Sequence, residues 1–272
     1  MTYDKKMTEF LKTFTDPYFL MGLAGFLLSL FVVILLTRKN GIDSAVWFPA
    51  LVWGGVGLFA GAHLLFFIVG LPDFIENFDT YVYSVQSFLD AFLAAASGMV
   101  FYGGLFGFIA ASVIFCKVTH AYTRSILNVF AVIFPLFHAV ARVGCVLSGC
   151  CYGIEYHGIF AIQYKESQII PGMSDALCDY TRFPVQLLEG LMELIIFVII
   201  LMLYLKTKNR FCLAGIYIMA YAVVRFCDEF LRGDTVRGIW GPFSTSQWIA
   251  LVSFVCVGLY FIITRIKENH RC

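Results

Sequence analysis

Charged side chains are scarce in this sequence. Lys, Arg, Asp and Glu together make up 14% of its 272 residues, whereas hydrophobic residues make up 60%. A soluble domain carries about 25% charged residues, so the composition excludes an ordinary soluble fold and predicts a polytopic membrane protein. The formal net charge is only +1, so the chain offers no electrostatic basis for binding nucleic acid.

The sequence also lacks an obvious small-residue cleavage site after its first apolar run. This run covers residues 18–37 and is followed by Arg38 and Lys39. It is long enough to cross a bilayer, so we predict a retained membrane helix rather than a cleavable signal peptide. The nine cysteines do not resemble the disulfide framework of a small secreted domain.

Long apolar runs recur along the chain, and each approaches the roughly 20 residues that a spanning helix needs. They predict an all-α fold, because helices satisfy their own backbone hydrogen bonds in lipid. We expect one membrane domain over residues 1–272 with about seven spans, at residues 18–37, 47–70, 97–116, 126–148, 184–205, 211–232 and 246–265. The longer connections, 71–96 and 149–183, are predicted to be interfacial or cap elements.

The distribution of Lys and Arg predicts the orientation of these spans. Basic residues follow the first, third, fifth and seventh spans, whereas the connection after the second span is acidic and contains no Lys or Arg. By the positive-inside rule, the N-terminus is expected outside and the C-terminus in the cytoplasm. In this orientation four spans, the third to the sixth, bring polar residues to the same outer leaflet.

The most unusual polar residues lie at the end of the fourth predicted span. Arg142 stands in a strongly apolar stretch, and a charge at membrane depth is costly and is a functional hypothesis by default. His138 lies one helical turn earlier on the same face. It is either a candidate general base or a packed helix histidine.

Three cysteines, Cys145, Cys150 and Cys151, follow Arg142. They allow three interpretations: small buried hydrophobic residues, an external disulfide with Cys178 as partner, or metal ligands together with His138. The first is the commonest role of a free cysteine, so neither a metal nor another cofactor is predicted. The sequence has no Cys-x-x-Cys motif here, which argues against a catalytic redox thiol.

A second group of charges ends the sixth predicted span. Arg225, Asp228, Glu229 and Arg232 are spaced i, i+3, i+4 and i+7, so we predict that they share one helical face and pair with one another. Together with Arg142, the two arginines could hold a phosphate group through bidentate hydrogen bonds. The alternative for Arg225 and Glu229 is a structural salt-bridge network.

Five short motifs occur in order along the chain: Tyr102-Gly103-Gly104-Leu105, Arg142-Val143-Gly144, Phe183 to Glu189, Tyr221 to Arg232, and Ser246-Gln247-Trp248. They resemble the prolipoprotein diacylglyceryl transferase family. Its corresponding motifs are His-Gly-Gly-Leu, Gly-Arg-x-Gly-Asn, His-Pro-x-Gln-Leu-Tyr-Glu, Tyr-Gly-x-x-Arg followed by Glu-Phe-x-Arg, and a Gly-Gln that opens the last span. The order and spacing agree from about residue 20 to 265.

The resemblance implies a bacterial inner-membrane enzyme with its active site toward the outer leaflet. Such an enzyme moves diacylglyceryl from phosphatidylglycerol to the lipobox cysteine thiol of a prolipoprotein and releases glycerol 1-phosphate. Its partners are these two substrates and membrane lipid. The expected catalytic residues are Arg142, Arg225, Tyr102 and His138, and the expected substrate-binding residues are Gly103, Gly104, Gly144, Gln186, Glu189, Tyr221, Glu229 and Arg232.

Four departures from the family pattern bear directly on the expected chemistry. Ala141 replaces the glycine before the signature arginine, Cys145 replaces the signature Asn, and Cys150 replaces a later Glu. Tyr102 stands at the position of the catalytic His, and a phenol with a pKa of about 10 is a poor general base near neutral pH. The identity of the base is therefore open, and His138 is a candidate.

These departures leave two other functions open. One is a phospholipid-binding or transport protein that keeps the arginines but lacks the chemistry. The other is a membrane thiol-disulfide protein that uses Cys150, Cys151 and Cys178. A redox protein of this kind would lose function on Cys→Ser while tolerating Arg142→Ala.

Overall fold

The computed structural model describes residues 16–165, 178–207, 212–234 and 238–269. The chain groups into two compact units. Unit 1 contains the chain up to Leu36 and from Asn128 onward, and unit 2 contains Thr37–Leu127. The single domain expected from the sequence stays a prediction.

The described part of the chain is mainly helical. Its helices are α1 (Pro17–Lys39), α2 (Ser44–Glu76), α3 (Phe78–Tyr81), α4 (Val85–Ser97), α5 (Phe101–Val118), α6 (Thr123–Leu147), α7 (Val185–Thr207), α8 (Leu213–Asp228) and α9 (Thr245–Asn269). A single 3-10 turn, Glu229–Leu231, follows α8, and a short antiparallel hairpin of β1 (Ile239–Trp240) and β2 (Phe243–Ser244) precedes α9.

Six of the described helices are long and apolar enough to cross a membrane, namely α1, α2, α5, α6, α7 and α9. The predicted all-α polytopic membrane fold is therefore confirmed. The sixth predicted span, 211–232, forms the shorter helix α8 of 16 residues. Such a helix is about 24 Å long, against a hydrocarbon core of about 30 Å. The count of seven spans and the orientation of the termini stay predictions.

In unit 2, α2 and α5 approach each other closely along a line of glycines. A Cβ on Gly61 would overlap the carbonyl oxygen of Gly103, and a Cβ on Gly57 would overlap that of Gly107. Small residues at such positions let two membrane helices bring their backbones into van der Waals contact. This contact fixes the start of α5, where the Tyr102 motif lies.

The acidic connection 71–96 is helical rather than irregular. Helix α2 runs six residues beyond its predicted end, to Glu76, and α3 and α4 follow. The ring of Phe74 contacts that of Phe88, with centroids 6.0 Å apart. The Ser84 hydroxyl accepts a hydrogen bond of 3.0 Å from the Ser87 amide, which caps the N-terminus of α4.

In unit 1, α6 supplies much of the core. Val129, Val132 and Leu136 are buried along it. At its start, the Asn128 side chain accepts a hydrogen bond of 2.9 Å from the amide of Leu213. This bond satisfies one of the N–H groups that the first turn of α8 cannot pair internally.

The connection after α6 is held to the ends of α7 and α8 by short backbone pairings. Gly153 pairs with Arg232, and Glu155 and Ile162 both pair with Arg182. A Cβ on Gly153 would overlap the carbonyl oxygen of Phe183, so only glycine allows this approach. Part of the predicted cap, residues 166–177, lies outside the described residues.

Candidate active site

Three helices of unit 1 present buried polar side chains at helical spacing. On each helix these residues recur three or four positions apart and so share one face. Helix α6 supplies His138, Arg142 and Cys145, α7 supplies Gln186, Glu189 and Glu193, and α8 supplies Tyr221 and Arg225. All of them are buried.

Glu189 is the centre of this network. Its Oε1 lies 2.7 Å from Nη2 of Arg142, and its Oε2 lies 3.8 Å from Nη1 of Arg225. The Tyr221 hydroxyl donates to the same Oε1 over 3.4 Å. The carboxylate is only 1% exposed, and buried charges need such partners. One carboxylate therefore holds two guanidinium groups, from different helices, in fixed positions.

Arg225 makes two further polar contacts. Its Nη2 lies 2.6 Å from Oε2 of Glu229 and 3.4 Å from the hydroxyl oxygen of Ser246. Glu229 lies in the 3-10 turn after α8, and Ser246 lies in the first turn of α9. Arg225 thus links the end of α8 to the start of α9.

His138 lies between two carboxylates of α7. Its Nδ1 is 2.9 Å from Oε1 of Glu193, and its Nε2 is 3.9 Å from Oε1 of Glu189. Its ring also meets the ring of Tyr221 edge-on, with centroids 5.4 Å apart. Glu193 is a member of the network that sequence reasoning missed. The available signal was its position one turn after Glu189 in an otherwise apolar helix. The role of His138 as a base stays a prediction.

The guanidinium groups of Arg142 and Arg225 each have one buried N–H donor that is available to a ligand. Nε of Arg142 and Nη1 of Arg225 are buried and have no hydrogen-bond partner among the described residues. Buried polar groups in proteins are nearly always satisfied, so such a group calls for an explanation, a ligand being one. Two buried cationic donors on facing helices can bind an anion.

The prediction that Arg232 shares a helical face with Arg225 is wrong. Helix α8 ends at Asp228, the 3-10 turn follows, and Arg232 has an extended backbone with φ −79° and ψ 137°. The reason is the backbone pairing between Arg232 and Gly153, which requires an extended chain. The guanidinium of Arg232 pairs instead with Asp234, through Nε at 2.8 Å from Oδ1 and through Nη2.

Several expected substrate-binding glycines have packing contacts. Gly103 faces Gly61 in unit 2, and a Cβ on Gly104 would lie 3.3 Å from Cγ of Leu58. In unit 1, a Cβ on Gly144 would lie 3.0 Å from Cβ of Met21 on α1. The backbone of Gly61 leaves no room for a side chain at Gly103, whereas the space at Gly104 and Gly144 is only tight. Substrate binding by these glycines stays a prediction.

Tyr102, at the position where the family has its catalytic His, belongs to unit 2. It is buried, with 1% of its surface exposed, and its ring stacks on that of Phe106 at a centroid distance of 5.8 Å. Its catalytic role stays a prediction.

Gln186 holds the segment after α6 in place through two hydrogen bonds. Its Nε2 donates to the carbonyl oxygen of Cys150 over 2.8 Å and to the hydroxyl of Tyr164 over 2.9 Å. Burial raises the pKa of the Tyr164 phenol, and the hydrogen bond from Gln186 opposes this rise. Gln186 therefore has a clear structural contact, and its substrate-binding role stays a prediction.

The end of α6 brings two cysteines together. The amide of Cys150 donates to the carbonyl of Cys145 over 3.1 Å, and the amide of Gly149 donates to that of Val146 over 3.3 Å. Gly149 has a φ of +68°. This pattern is the Schellman motif, in which the residues in the positions of Cys145 and Cys150 usually contact each other.

Cys151 joins the same group. The sulfur atoms of Cys145, Cys150 and Cys151 all lie within 4.8 Å of one another, and the structure holds them as free cysteines. Nη1 of Arg142 lies 3.8 Å from Sγ of Cys145. Cys178 is not part of this group, so a disulfide to Cys178 stays a prediction. His138 contacts Glu193 instead and is not part of this cysteine group either.

Comparisons with known proteins match nearly the whole chain. The family model described as prolipoprotein diacylglyceryl transferase matches residues 11–264. A protein from Clostridium tetani is 24% identical over 233 residues, which cover 86% of this chain and 86% of that protein. One from Cupriavidus metallidurans is 26% identical over 261 residues, covering 93% and 90%. One from Helicobacter pylori strain HPAG1 is 27% identical over 227 residues, covering 81% and 77%. All three are named phosphatidylglycerol–prolipoprotein diacylglyceryl transferase.

Proposed function

The chain belongs to the prolipoprotein diacylglyceryl transferase family, and from this premise we propose the reaction that its relatives are named for. The diacylglyceryl group of phosphatidylglycerol is transferred to the lipobox cysteine thiol of a prolipoprotein, and glycerol 1-phosphate is released. The protein lies in the bacterial inner membrane with its site toward the outer leaflet. The alternation of basic and acidic connections along the sequence supports this orientation.

The chemistry requires fixed positive charge. The acceptor sulfur attacks a glycerol carbon of the lipid, and the bond from that carbon to the phosphate oxygen breaks. Negative charge then accumulates on the departing glycerol phosphate. Preorganised cationic donors in a water-poor site stabilise such charge far better than water does.

The observation that carries the proposal is the convergence of Arg142 and Arg225 on the two oxygens of Glu189. The carboxylate compensates both guanidinium groups before substrate binds, and each group keeps a buried donor for the lipid phosphate. Arginine suits this role because its planar fork matches phosphate oxygens. Glu189 is therefore a positioning residue, and Arg142 and Arg225 are the catalytic residues.

The acceptor thiol must lose its proton. His138 is a candidate for this step because its ring already accepts or donates a hydrogen bond at Glu193. Tyr102 is the other candidate, since it occupies the family's His position.

The test is complementation of a bacterium depleted of its own transferase. We expect the wild-type chain to restore growth and lipid-modified lipoproteins, and Arg142→Ala to restore neither. Arg142→Lys keeps the charge but loses the fork, so we expect turnover to fall by about 10²–10³-fold, as for loss of one charge-stabilising donor. Arg124→Lys, at an exposed residue near the start of α6, is the matched control and should act as wild type.

The opposite result would be wild-type protein that reaches the membrane and retains phosphatidylglycerol but modifies no lipoprotein. That outcome would replace the transferase with a phospholipid-binding protein. A thiol-disulfide exchange activity that survives Arg142→Ala but is lost in Cys151→Ser would instead support the thiol-disulfide alternative.

A further inference from the structure

The cluster of Cys145, Cys150 and Cys151 has the dimensions of a metal site. Two thiolates on one tetrahedral zinc, with Zn–S bonds of about 2.3 Å, have sulfur atoms about 3.8 Å apart. The three sulfur atoms here lie within 4.8 Å of one another, so small side-chain rotations would bring them to a common ion. Cys145 is buried and the other two are half-buried, so the group is partly accessible.

The backbone is shaped to hold these three thiols together. The Schellman motif at Gly149 places Cys145 beside Cys150. Two adjacent residues in an extended chain would point to opposite sides, but Cys151 has a left-handed backbone with φ +56°. For a residue other than glycine this conformation is strained, and it persists only where its surroundings impose it.

The surroundings impose it here through hydrogen bonds on both sides of the pair. Gln186 binds the carbonyl of Cys150 at 2.8 Å. Two residues after Cys151, Gly153 pairs with Arg232. The backbone that carries Cys150 and Cys151 is therefore held by α7 on one side and by the segment after α8 on the other.

The local charge fits a thiolate–metal centre. Three thiolates and one Zn²⁺ carry a net charge of −1, and Nη1 of Arg142 lies 3.8 Å from Sγ of Cys145. The same guanidinium contacts Glu189 through Nη2. Arg142, one of the two arginines proposed to bind the lipid phosphate, therefore also contacts the thiol cluster.

We propose that Cys145, Cys150 and Cys151 bind one Zn²⁺ ion and that the acceptor thiol of the prolipoprotein takes its fourth position. Catalytic zinc sites characteristically have three protein ligands and one open position. Thiolates are ligands that zinc binds strongly, and a thiol bound to it is deprotonated outright. The metal site rests on the cluster alone, whereas the identity of the fourth ligand rests on the proposed function.

The reaction step balances without an oxidant or a reductant. The acceptor thiol binds the zinc and releases its proton to water. The thiolate electron pair forms the new S–C bond to the glycerol carbon, and the pair of the breaking C–O bond goes to the phosphate oxygen. Glycerol phosphate leaves, and the product thioether, a neutral and weaker ligand, dissociates from the zinc. The oxidation state of zinc is unchanged.

This proposal accounts for the missing histidine. A zinc-bound thiolate is already the nucleophile, so no general base is required at the position that Tyr102 occupies. It also accounts for cysteines at two positions where the family signature has Asn and Glu, namely Cys145 and Cys150.

The first test measures metal directly. The full chain is purified in detergent without chelators, and its zinc content is measured by inductively coupled plasma mass spectrometry. We expect one zinc per chain in the wild type, and retention of zinc weakened by at least about tenfold in Cys150→Ser and Cys151→Ser. Cys227→Ser and Cys256→Ser change exposed cysteines of α8 and α9, and both should keep the zinc. A circular dichroism spectrum shows that each variant is folded.

The second test asks what occupies the fourth position. The zinc is replaced by Co²⁺, whose charge-transfer absorption reports each thiolate bound to it. A lipobox peptide should strengthen this absorption, whereas the same peptide with serine in place of its cysteine should not. An unchanged spectrum with the cysteine peptide would overturn the assignment of the acceptor thiol.

The outcomes separate this inference from the proposed function. A wild-type chain without zinc, with a mass lower by two hydrogens because two of the thiols form a disulfide, would overturn the metal site. Full transferase turnover by metal-free protein would overturn the assignment of the acceptor thiol to the fourth position of the zinc and would leave the proposed function intact. One zinc per chain, lost in the Cys→Ser variants, without any transferase turnover would support the metal site and overturn the proposed function.

Discussion

At the scale of single residues, the site depends on a carboxylate that compensates two buried arginines. Glu189 and Arg142 are 1% and 7% exposed, so neither charge can be satisfied by water. Removing one member of such a buried pair leaves an uncompensated charge, which costs about 3–5 kcal/mol. A substitution that removes either charge should therefore both disturb the geometry of the anion site and lower the free energy of unfolding of unit 1.

Glu189→Gln tests this dependence. It keeps the shape of the side chain but removes the charge that faces both guanidinium groups, so the free energy of unfolding should fall by about 3–5 kcal/mol. Glu193→Gln is the matched control on the same helix, because Glu193 contacts His138, which can be neutral, and we expect a smaller loss. Denaturant titration in mixed micelles measures both. Equal losses in the two variants would contradict the central place of Glu189.

Part of this network is predictable from the sequence. A charge in an apolar helix is conspicuous, so the sequence predicts Arg142, Arg225 and Glu189 near one membrane depth, and the structure brings them together. Glu193 was missed, because no motif covers it. The pairing of both arginines with Glu189 of α7 could not be predicted, since it depends on the rotation of three packed helices.

At the scale of structural elements, unit 2 depends on the close approach of α2 and α5. Gly61 faces the carbonyl oxygen of Gly103, whereas Gly55 on the same α2 helix has open space around its Cα. The two glycines therefore separate the packing requirement from the intrinsic effect of a helical glycine.

Gly61→Ala should destabilise the protein, because the new methyl group would collide with backbone that cannot move aside. Overpacking of this kind costs about 1–3 kcal/mol. Gly55→Ala should be neutral or stabilising by up to about 1 kcal/mol, since alanine is the better helix former. Thermal unfolding of both variants in detergent checks the prediction. A similar shift in both would mean that the glycine line does not hold α2 and α5 together.

The helices themselves were predictable from hydropathy, but several of their ends were not. Helix α2 continues to Glu76, beyond the apolar run, because α3 and α4 pack against its end through Phe74. Helix α8 stops at Asp228 because the chain must become extended at Arg232 to pair with Gly153. Both ends are set by tertiary contacts. The end of α6 is different, since Gly149 after an apolar helical run is a local stop signal that the sequence does contain.

At the scale of the whole molecule, the chain combines family membership with a changed site. The family match covers residues 11–264, and two arginines of its motifs, Arg142 and Arg225, lie in one buried network. Two of the departures of this chain from the family pattern, Cys145 and Cys150, lie in the thiol cluster beside Arg142. We therefore expect that the reaction is kept while the means of activating the acceptor thiol is changed.

The most direct test uses phosphatidylglycerol with deuterated acyl chains and a synthetic lipobox peptide, incubated with the purified full chain in detergent. Mass spectrometry follows the peptide, and an enzymatic assay follows glycerol 1-phosphate. We expect the peptide to gain the mass of the whole deuterated diacylglyceryl group, with one glycerol 1-phosphate released for each peptide modified. A gain of a single acyl chain, or no gain while the lipid stays bound in an Arg142-dependent way, would contradict the assignment of diacylglyceryl transfer.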